Sequence, residues 1–141
     1  MRIGAVIAAG LLVAGLNAHA SPKPASLAGE WRGKYECGQG VTALTLTVSE
    51  IPGGKLKARF AFGPLPENPR VPTGAFDMEG RLDAKTRRVT FRSGKWIKAP
   101  LGYFTVDLEG YVEASGNRIT GVVPSAGCSV FDLARGEALV G

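Results

Sequence analysis

Two stretches, EWRGKYEC at Glu30–Cys37 and CSVFDLAR at Cys128–Arg135, decide the fold of this chain. Both are predicted β-strands, and each carries one of the two cysteines of the sequence. In an antiparallel pair of strands, the residue numbers of any two facing residues add up to the same value. The sums for Cys37 with Cys128 and for Trp31 with Arg135 agree to within one residue. A single register therefore brings the first and last strands together and places the cysteines side by side.

Neighbouring first and last strands are what a closed barrel requires, and closure removes the sheet edges that promote aggregation. Between these strands the apolar residues alternate with polar ones, and 20 glycines and nine prolines punctuate the chain. Alternation of this kind is typical of strands with one buried face. The sequence predicts an all-β fold, an antiparallel up-and-down barrel of about eight strands, closed by a disulfide between the first and last strands.

The N-terminal region has the pattern of an export signal, in which Arg2 precedes an apolar run and Ala18-His19-Ala20 forms a cleavage site. We expect a signal peptide at 1–20 and a periplasmic or secreted location. A flexible lead-in at 21–28, one barrel domain at 29–136 and a tail at 137–141 follow. The apolar run is too short to span a bilayer, so we expect no membrane span. Cysteines in an oxidising compartment usually pair, which also predicts the disulfide.

The charge of the mature chain is modest. Removing Arg2 from the 17 basic residues leaves 16 against 12 acidic ones. This excess is typical of a solubilising surface, although it also suits an anionic partner such as membrane lipid or acidic polysaccharide. We expect a monomer. We also expect no binding of nucleic acid, because the strands rich in Lys and Arg lack interleaved exposed aromatic residues.

The alternation predicts which side chains face the barrel interior. Lys57, Arg59, Thr45, Asp77 and Glu109 are expected to point outward. The inward set consists of aromatic and aliphatic residues from successive strands: Trp31, Tyr35, Leu44, Leu46, Phe60, Phe76, Phe91, Phe104, Val106, Leu108 and Ile119.

Four glycines lie inside predicted strands, namely Gly33, Gly80, Gly110 and Gly121. Glycine inside a strand relieves crowding or allows bending in a tight barrel. The alternative is that these glycines leave space for a ligand.

Gly29-Glu30-Trp31 near the mature start, with Arg135 near the end, resembles the calycin group of barrels, which includes lipocalins, fatty-acid-binding proteins and avidins. The resemblance implies that a basic side chain of the last strand packs on the tryptophan of the first at one barrel end. The segment Tyr35–Thr42 is also similar to uncharacterised bacterial exported proteins, which implies no activity.

The residue types restrict the chemistry. His19 is the one histidine and belongs to the signal peptide, so the mature chain has no histidine base or metal ligand. Paired cysteines leave no thiol nucleophile. The carboxylate pairs Asp77 with Glu79 and Asp107 with Glu109 alternate with apolar residues and lie near basic ones, which is typical of an outer barrel face. We therefore expect no enzyme, no metal and no cofactor.

The candidate recognition residues lie near two irregular segments. The proline-rich stretch Gly63–Gly74 is predicted to be a loop, because four prolines exclude a helix or a central strand. Trp96 either caps the core or joins this loop in a binding rim. The rim candidates are Trp96, Tyr103, Lys95, Lys98, Pro66 and Asn68.

Three functions remain open. The first is a non-enzymatic exported binding module, either for a small apolar or amphipathic molecule in the barrel or for an envelope macromolecule at its rim. The second is a periplasmic protein inhibitor or interaction factor, since Tyr35-Glu36-Cys37 resembles the early Y-x-C of periplasmic lysozyme inhibitors. A glycan-active enzyme is the third and has the least support.

Overall fold

Eight strands form the chain in the computed structural model, which describes residues 26–136. The predicted signal peptide at 1–20 and the tail at 137–141 lie outside the described residues. The strands are β1 Gly29–Cys37, β2 Gly40–Ile51, β3 Lys55–Gly63, β4 Gly74–Leu82, β5 Arg88–Lys98, β6 Leu108–Val112, β7 Arg118–Val122 and β8 Val130–Arg135. Each strand pairs antiparallel with the next, and β8 pairs with β1, so the barrel is closed and up-and-down as predicted.

The β1–β8 pairing runs from Trp31 opposite Arg135 to Tyr35 opposite Phe131. Cys128 lies just before β8 and forms the predicted disulfide with Cys37 at the end of β1. The two predicted pairings differed by one residue. The one-residue difference between the two register sums is possible because Cys128 belongs to the connection that precedes β8, where the strand register does not apply.

Up-and-down topology sends alternate connections to opposite ends of the barrel. The connections 38–39, 64–73, 99–107 and 123–129 lie at the end that carries the disulfide, here called the Cys37 end. The turns 52–54, 83–87 and 113–117 lie at the other end, here called the Trp31 end. The predicted loop at Gly63–Gly74 is present and joins β3 to β4.

The core is the barrel interior. All of the predicted inward side chains except Phe104 are buried, and the predicted outward side chains are exposed or half-exposed. Phe60, Phe76 and Phe91 are fully buried and fill the interior.

The prediction for Phe104 is wrong, since this side chain is 84% exposed. Residues 103–107 form no strand, and β6 begins only at Leu108, so strand alternation does not apply to Phe104. Tyr103 takes the inward position instead and stacks on Phe62 with ring centroids 5.4 Å apart.

The Trp31 end is closed by packing around an indole. Leu27 is buried, and its carbonyl accepts a hydrogen bond of 3.0 Å from Trp31 Nε1. The Leu27 amide in turn donates to Glu50 Oε1 at 2.6 Å. The part of the predicted lead-in that the structure describes, 26–28, thus packs against the barrel through Leu27.

The contact predicted from the calycin resemblance is present at this end. The guanidinium carbon of Arg135 lies 4.3 Å from the centroid of the Trp31 ring. Arg135 also donates to the carbonyls of Ser26 at 2.8 Å, Ala28 at 3.3 Å and Gly116 at 3.0 Å.

Candidate functional site

An apolar opening of the described chain lies at the Cys37 end. A cavity of about 590 Å³ opens between the connections 38–39, 99–107 and 123–129, and we refer to it as the rim cavity. Its walls include both disulfide cysteines and the aromatic rings of Tyr35, Tyr103 and Phe104. The remaining lining residues are Gly38, Gln39, Gly102, Thr105, Val106, Ser125, Ala126 and Gly127.

Stacked aromatic rings separate this cavity from the centre of the barrel. Phe60 and Phe76 stack with centroids 4.5 Å apart, and Tyr35 meets Phe60 edge-on at 5.0 Å. Phe62 continues the array toward the rim, where it stacks on Tyr103. Any molecule bound at this end would therefore rest on the aromatic layer, because rings occupy the space beneath it.

The polar groups at the base of the cavity are neutral and bonded to one another. Gln39 Nε2 donates to the Tyr35 hydroxyl at 3.1 Å and to Thr42 Oγ1 at 3.0 Å. Burial raises the pKa of the Tyr35 hydroxyl far above its ordinary value, although the hydrogen bond from Gln39 acts in the opposite direction. The phenol consequently stays protonated at any physiological pH.

None of the described residues that line the rim cavity is charged. Four other surface depressions of the described chain differ in this respect, since each is lined by both basic and acidic side chains. Lys55, Glu79 and Arg81 line one depression, and Lys85 and Asp83 line another. A charged ligand would find no opposite charge in the rim cavity, whereas an apolar surface could replace water there at little cost.

Asn68 is a predicted rim residue that the structure places behind the cavity wall. Its Nδ2 donates to the carbonyls of Gln39 at 2.8 Å and Val41 at 2.9 Å. These bonds tie the β3–β4 loop to the β1–β2 turn. Asn68 therefore positions Gln39 rather than lining the cavity itself.

Of the other predicted rim residues, Tyr103 alone lines the cavity. Trp96 is half-buried and meets the Phe76 ring edge-on at 5.3 Å, so it caps the core. Lys98 donates to Thr73 Oγ1 at 2.6 Å, outside the cavity. Lys95 lies over a separate depression on the β4–β5 wall. Pro66 is an exposed residue of the β3–β4 loop.

Several cavity residues escaped the sequence prediction, notably Gln39, Phe104 and the segment Ser125–Cys128. A signal for them exists in the sequence, because 99–106 and 123–131 are both free of charged residues. Up-and-down topology brings these two segments to the same end of the barrel. Combining charge-free segments with topology would have located the cavity.

The carboxylate pairs lie on the outer walls. Glu79 stands opposite Arg92 across β4 and β5, and Arg92 lies 3.8 Å from Asp107. Arg88 lies 3.8 Å from Glu109. Within residues 26–136, no group of three or more His, Cys, Asp or Glu side chains is arranged to hold a metal ion.

No protein-family model matches this chain, and the search of curated proteins also returns no match. Over residues 26–136, the structure contains no helix with the length and apolar character needed to cross a membrane.

Proposed function

We propose that this protein is a non-enzymatic binding module that holds an uncharged apolar or amphipathic molecule in the rim cavity. The observation that carries the proposal is the uncharged lining of the cavity, which contrasts with the charged lining of four other depressions of residues 26–136. Its volume of about 590 Å³ is within the range of small-molecule sites. Tyr103, Phe104 and Val106 would contact the apolar part of the ligand, and Gln39 would contact a polar group.

The barrel and its closed Trp31 end support a calycin-like assignment. The support consists of eight up-and-down strands and the stacking of Arg135 on Trp31. The filled interior distinguishes this proposal from a barrel that encloses its ligand, because Phe60 and Phe76 occupy the centre. We propose binding above the aromatic layer, in an exported protein whose disulfide suits an oxidising compartment.

A protein inhibitor or interaction factor of the envelope is the second candidate. The filled interior favours it, because a solid barrel presenting loops is a scaffold for recognition at the surface. In that case the rim cavity would receive a side chain of the partner protein instead of a free small molecule.

The test uses N-phenyl-1-naphthylamine, an uncharged dye that fluoresces in apolar surroundings. Ala126 is an exposed residue of the cavity wall, so Ala126→Trp should fill the cavity and weaken dye binding by at least about tenfold. Ala84→Trp is the matched control, because Ala84 is an exposed residue of the turn at the Trp31 end. It should bind the dye like the wild type.

Native mass spectrometry of the protein recovered from its own host completes the test. A retained uncharged molecule that Ala126→Trp loses would support the proposal. Absence of saturable dye binding together with absence of a retained molecule would contradict it. Retention of a protein instead would favour the inhibitor.

A further inference from the structure

Two apolar side chains at the Cys37 end project into solvent. Leu101 is 100% exposed and Phe104 is 84% exposed. Other exposed apolar side chains of the described chain, such as Val122 at 48% and Val130 at 53%, lie flat on the barrel wall with about half of their surface covered. The strongest exposure of apolar surface is thus concentrated on one loop, the connection from β5 to β6.

This exposure results from a defined turn. The Tyr103 amide donates to the Pro100 carbonyl at 3.2 Å, and Gly102 between them has a φ of 83°, which glycine adopts without strain. Tyr103 anchors the turn by stacking on Phe62 with an interplanar angle of 20°. The anchored ring leaves Leu101 and Phe104 on the outer side of the turn, where they protrude from the barrel end.

The charges around this loop favour an anionic surface. Arg70 and Lys98 are exposed on the adjoining segments, and neither lies in an ion pair with another residue of 26–136. Two of the nearby carboxylates are compensated by basic side chains, since Glu67 lies 3.3 Å from Lys34 and Asp107 lies 3.8 Å from Arg92.

Few acidic side chains near this loop are left without a basic partner. A hydrogen bond from its own backbone amide and then one from Lys34 lower the pKa of Glu67, so it stays ionised and paired. Glu36 is an exposed carboxylate at this end outside the ion pairs of the described chain. The two basic residues next to the loop therefore outnumber the uncompensated acid.

We infer that the Cys37 end docks on a lipid bilayer that contains anionic headgroups. Leu101 and Phe104 enter the boundary between headgroups and acyl chains, and Arg70 and Lys98 lie at the phosphates. A bilayer accepts two protruding side chains without a matching pocket, whereas a protein partner must provide one. The uncharged connections 99–106 and 123–129 can approach the surface without burying a charge. This inference goes beyond ligand binding in the rim cavity and does not depend on it.

Vesicle flotation tests the inference with the purified protein. Vesicles of phosphatidylcholine mixed with about one third phosphatidylglycerol should carry the wild type upward, and pure phosphatidylcholine vesicles should carry less. The variant Leu101→Ser with Phe104→Ser should lose at least about tenfold in partitioning. The matched control is Tyr111→Ser, which removes an exposed aromatic side chain of β6 near the Trp31 end. It should partition like the wild type.

A charge variant adds a second measurement. Lys98→Gln should weaken binding to the anionic vesicles severalfold and leave binding to neutral vesicles unchanged. Lys55→Gln, an exposed lysine at the Trp31 end, is its control. The urea midpoint of every variant shows that it is folded, and exposed positions should shift it little.

Three outcomes would overturn the inference. The wild type could fail to float with anionic vesicles, which would indicate that the exposed loop contacts a protein partner instead of lipid. The Leu101→Ser, Phe104→Ser variant could float like the wild type. Leu101→Ser alone could float like the wild type while Phe104→Ser alone does not, which would assign the contact to the rim cavity, because Phe104 lines the cavity and Leu101 does not. Lost flotation of Leu101→Ser with unchanged dye binding supports the inference whether or not the cavity holds a ligand, so the two proposals fail separately.

Discussion

The Trp31 side chain illustrates how one residue can organise a barrel end. Its indole nitrogen is bonded to the Leu27 carbonyl, and its face lies under the Arg135 guanidinium at 4.3 Å. A guanidinium over an indole is stabilising because the negative face of the ring attracts the cation. Arg135 therefore contributes through stacking as well as through its hydrogen bonds to three backbone carbonyls.

A double-mutant cycle separates these contributions. We expect Trp31→Phe and Arg135→Leu to show a coupling of about 0.5–2 kcal/mol in the free energy of urea unfolding. The control cycle replaces Arg135→Leu with Arg32→Leu, since Arg32 is exposed on the opposite face of β1 and should be additive with Trp31→Phe. Equal coupling in both cycles would contradict a specific stacking contribution.

At this scale the sequence predicts the residues that follow a repeating rule. Trp31 and Arg135 were predicted because a motif and a constant register sum both point to them. Phe104 was assigned inward by extending the alternation of β6 backward, but a turn at Gly102 ends the rule. Gln39 was not identified as a site residue, because its role depends on Asn68, which lies 29 residues away in the sequence.

At the scale of elements, β6 and β7 approach each other closely because glycine faces glycine. Gly110 stands opposite Gly121 in the strand register. A Cβ at Gly121 would lie 2.0 Å from the Glu109 carbonyl oxygen and 2.4 Å from the Gly110 Cα. The functional alternative considered from sequence, space for a ligand, does not apply here, since neighbouring backbone fills that volume.

We therefore expect Gly121→Ala to destabilise the barrel by about 1–3 kcal/mol, because neither strand can move without breaking its ladder. Gly38→Ala is the control, since a Cβ there would meet nothing within 4 Å. It should change the free energy of unfolding by less than about 0.5 kcal/mol. Similar urea midpoints for the two variants would show that the β6–β7 contact is looser than described.

Strand positions were predictable because period-two alternation persists over most of the chain, and prolines excluded strands from the β3–β4 loop. The β4–β5 ladder is harder to predict, because its register shifts twice between Ala75 and Met78. These irregularities lie where Phe76 of β4 meets Trp96 of β5 edge-on, a contact between residues 20 apart in the sequence. The alternation of apolar and polar residues within one strand does not predict such register shifts.

At the scale of the whole molecule, most charged side chains lie on the outer barrel walls, and the Cys37 end carries uncharged connections. The outer walls alternate basic and acidic side chains, as in the opposed Lys57 and Glu79. The Cys37 end combines uncharged connections, the rim cavity and the protruding Leu101 and Phe104. Since the Trp31 end is closed by packing, we propose that recognition of ligand and lipid takes place at the opposite end.

The disulfide contributes both to the fold and to the candidate site, because it links β1 to the segment before β8 and also forms part of the cavity wall. Its cysteines are 91 residues apart, and closing a loop of that length stabilises the fold by about 4–5 kcal/mol in the chain-entropy account. The variant Cys37→Ala with Cys128→Ala should lose about this amount in urea unfolding.

Wild-type protein held in a thiol reductant is the matched control and should unfold at the same midpoint as the double variant. Five residue pairs from Trp31 opposite Arg135 to Tyr35 opposite Phe131 still join β1 to β8 without the disulfide, so the barrel should stay closed. The segment 125–128 would lose its covalent link to β1, and affinity for the neutral dye should fall with it. A stability loss below about 1 kcal/mol would contradict the entropic role, and unchanged dye affinity would show that the wall is held by other contacts, such as the bond from the Ser129 amide to the Glu36 carbonyl at 2.9 Å.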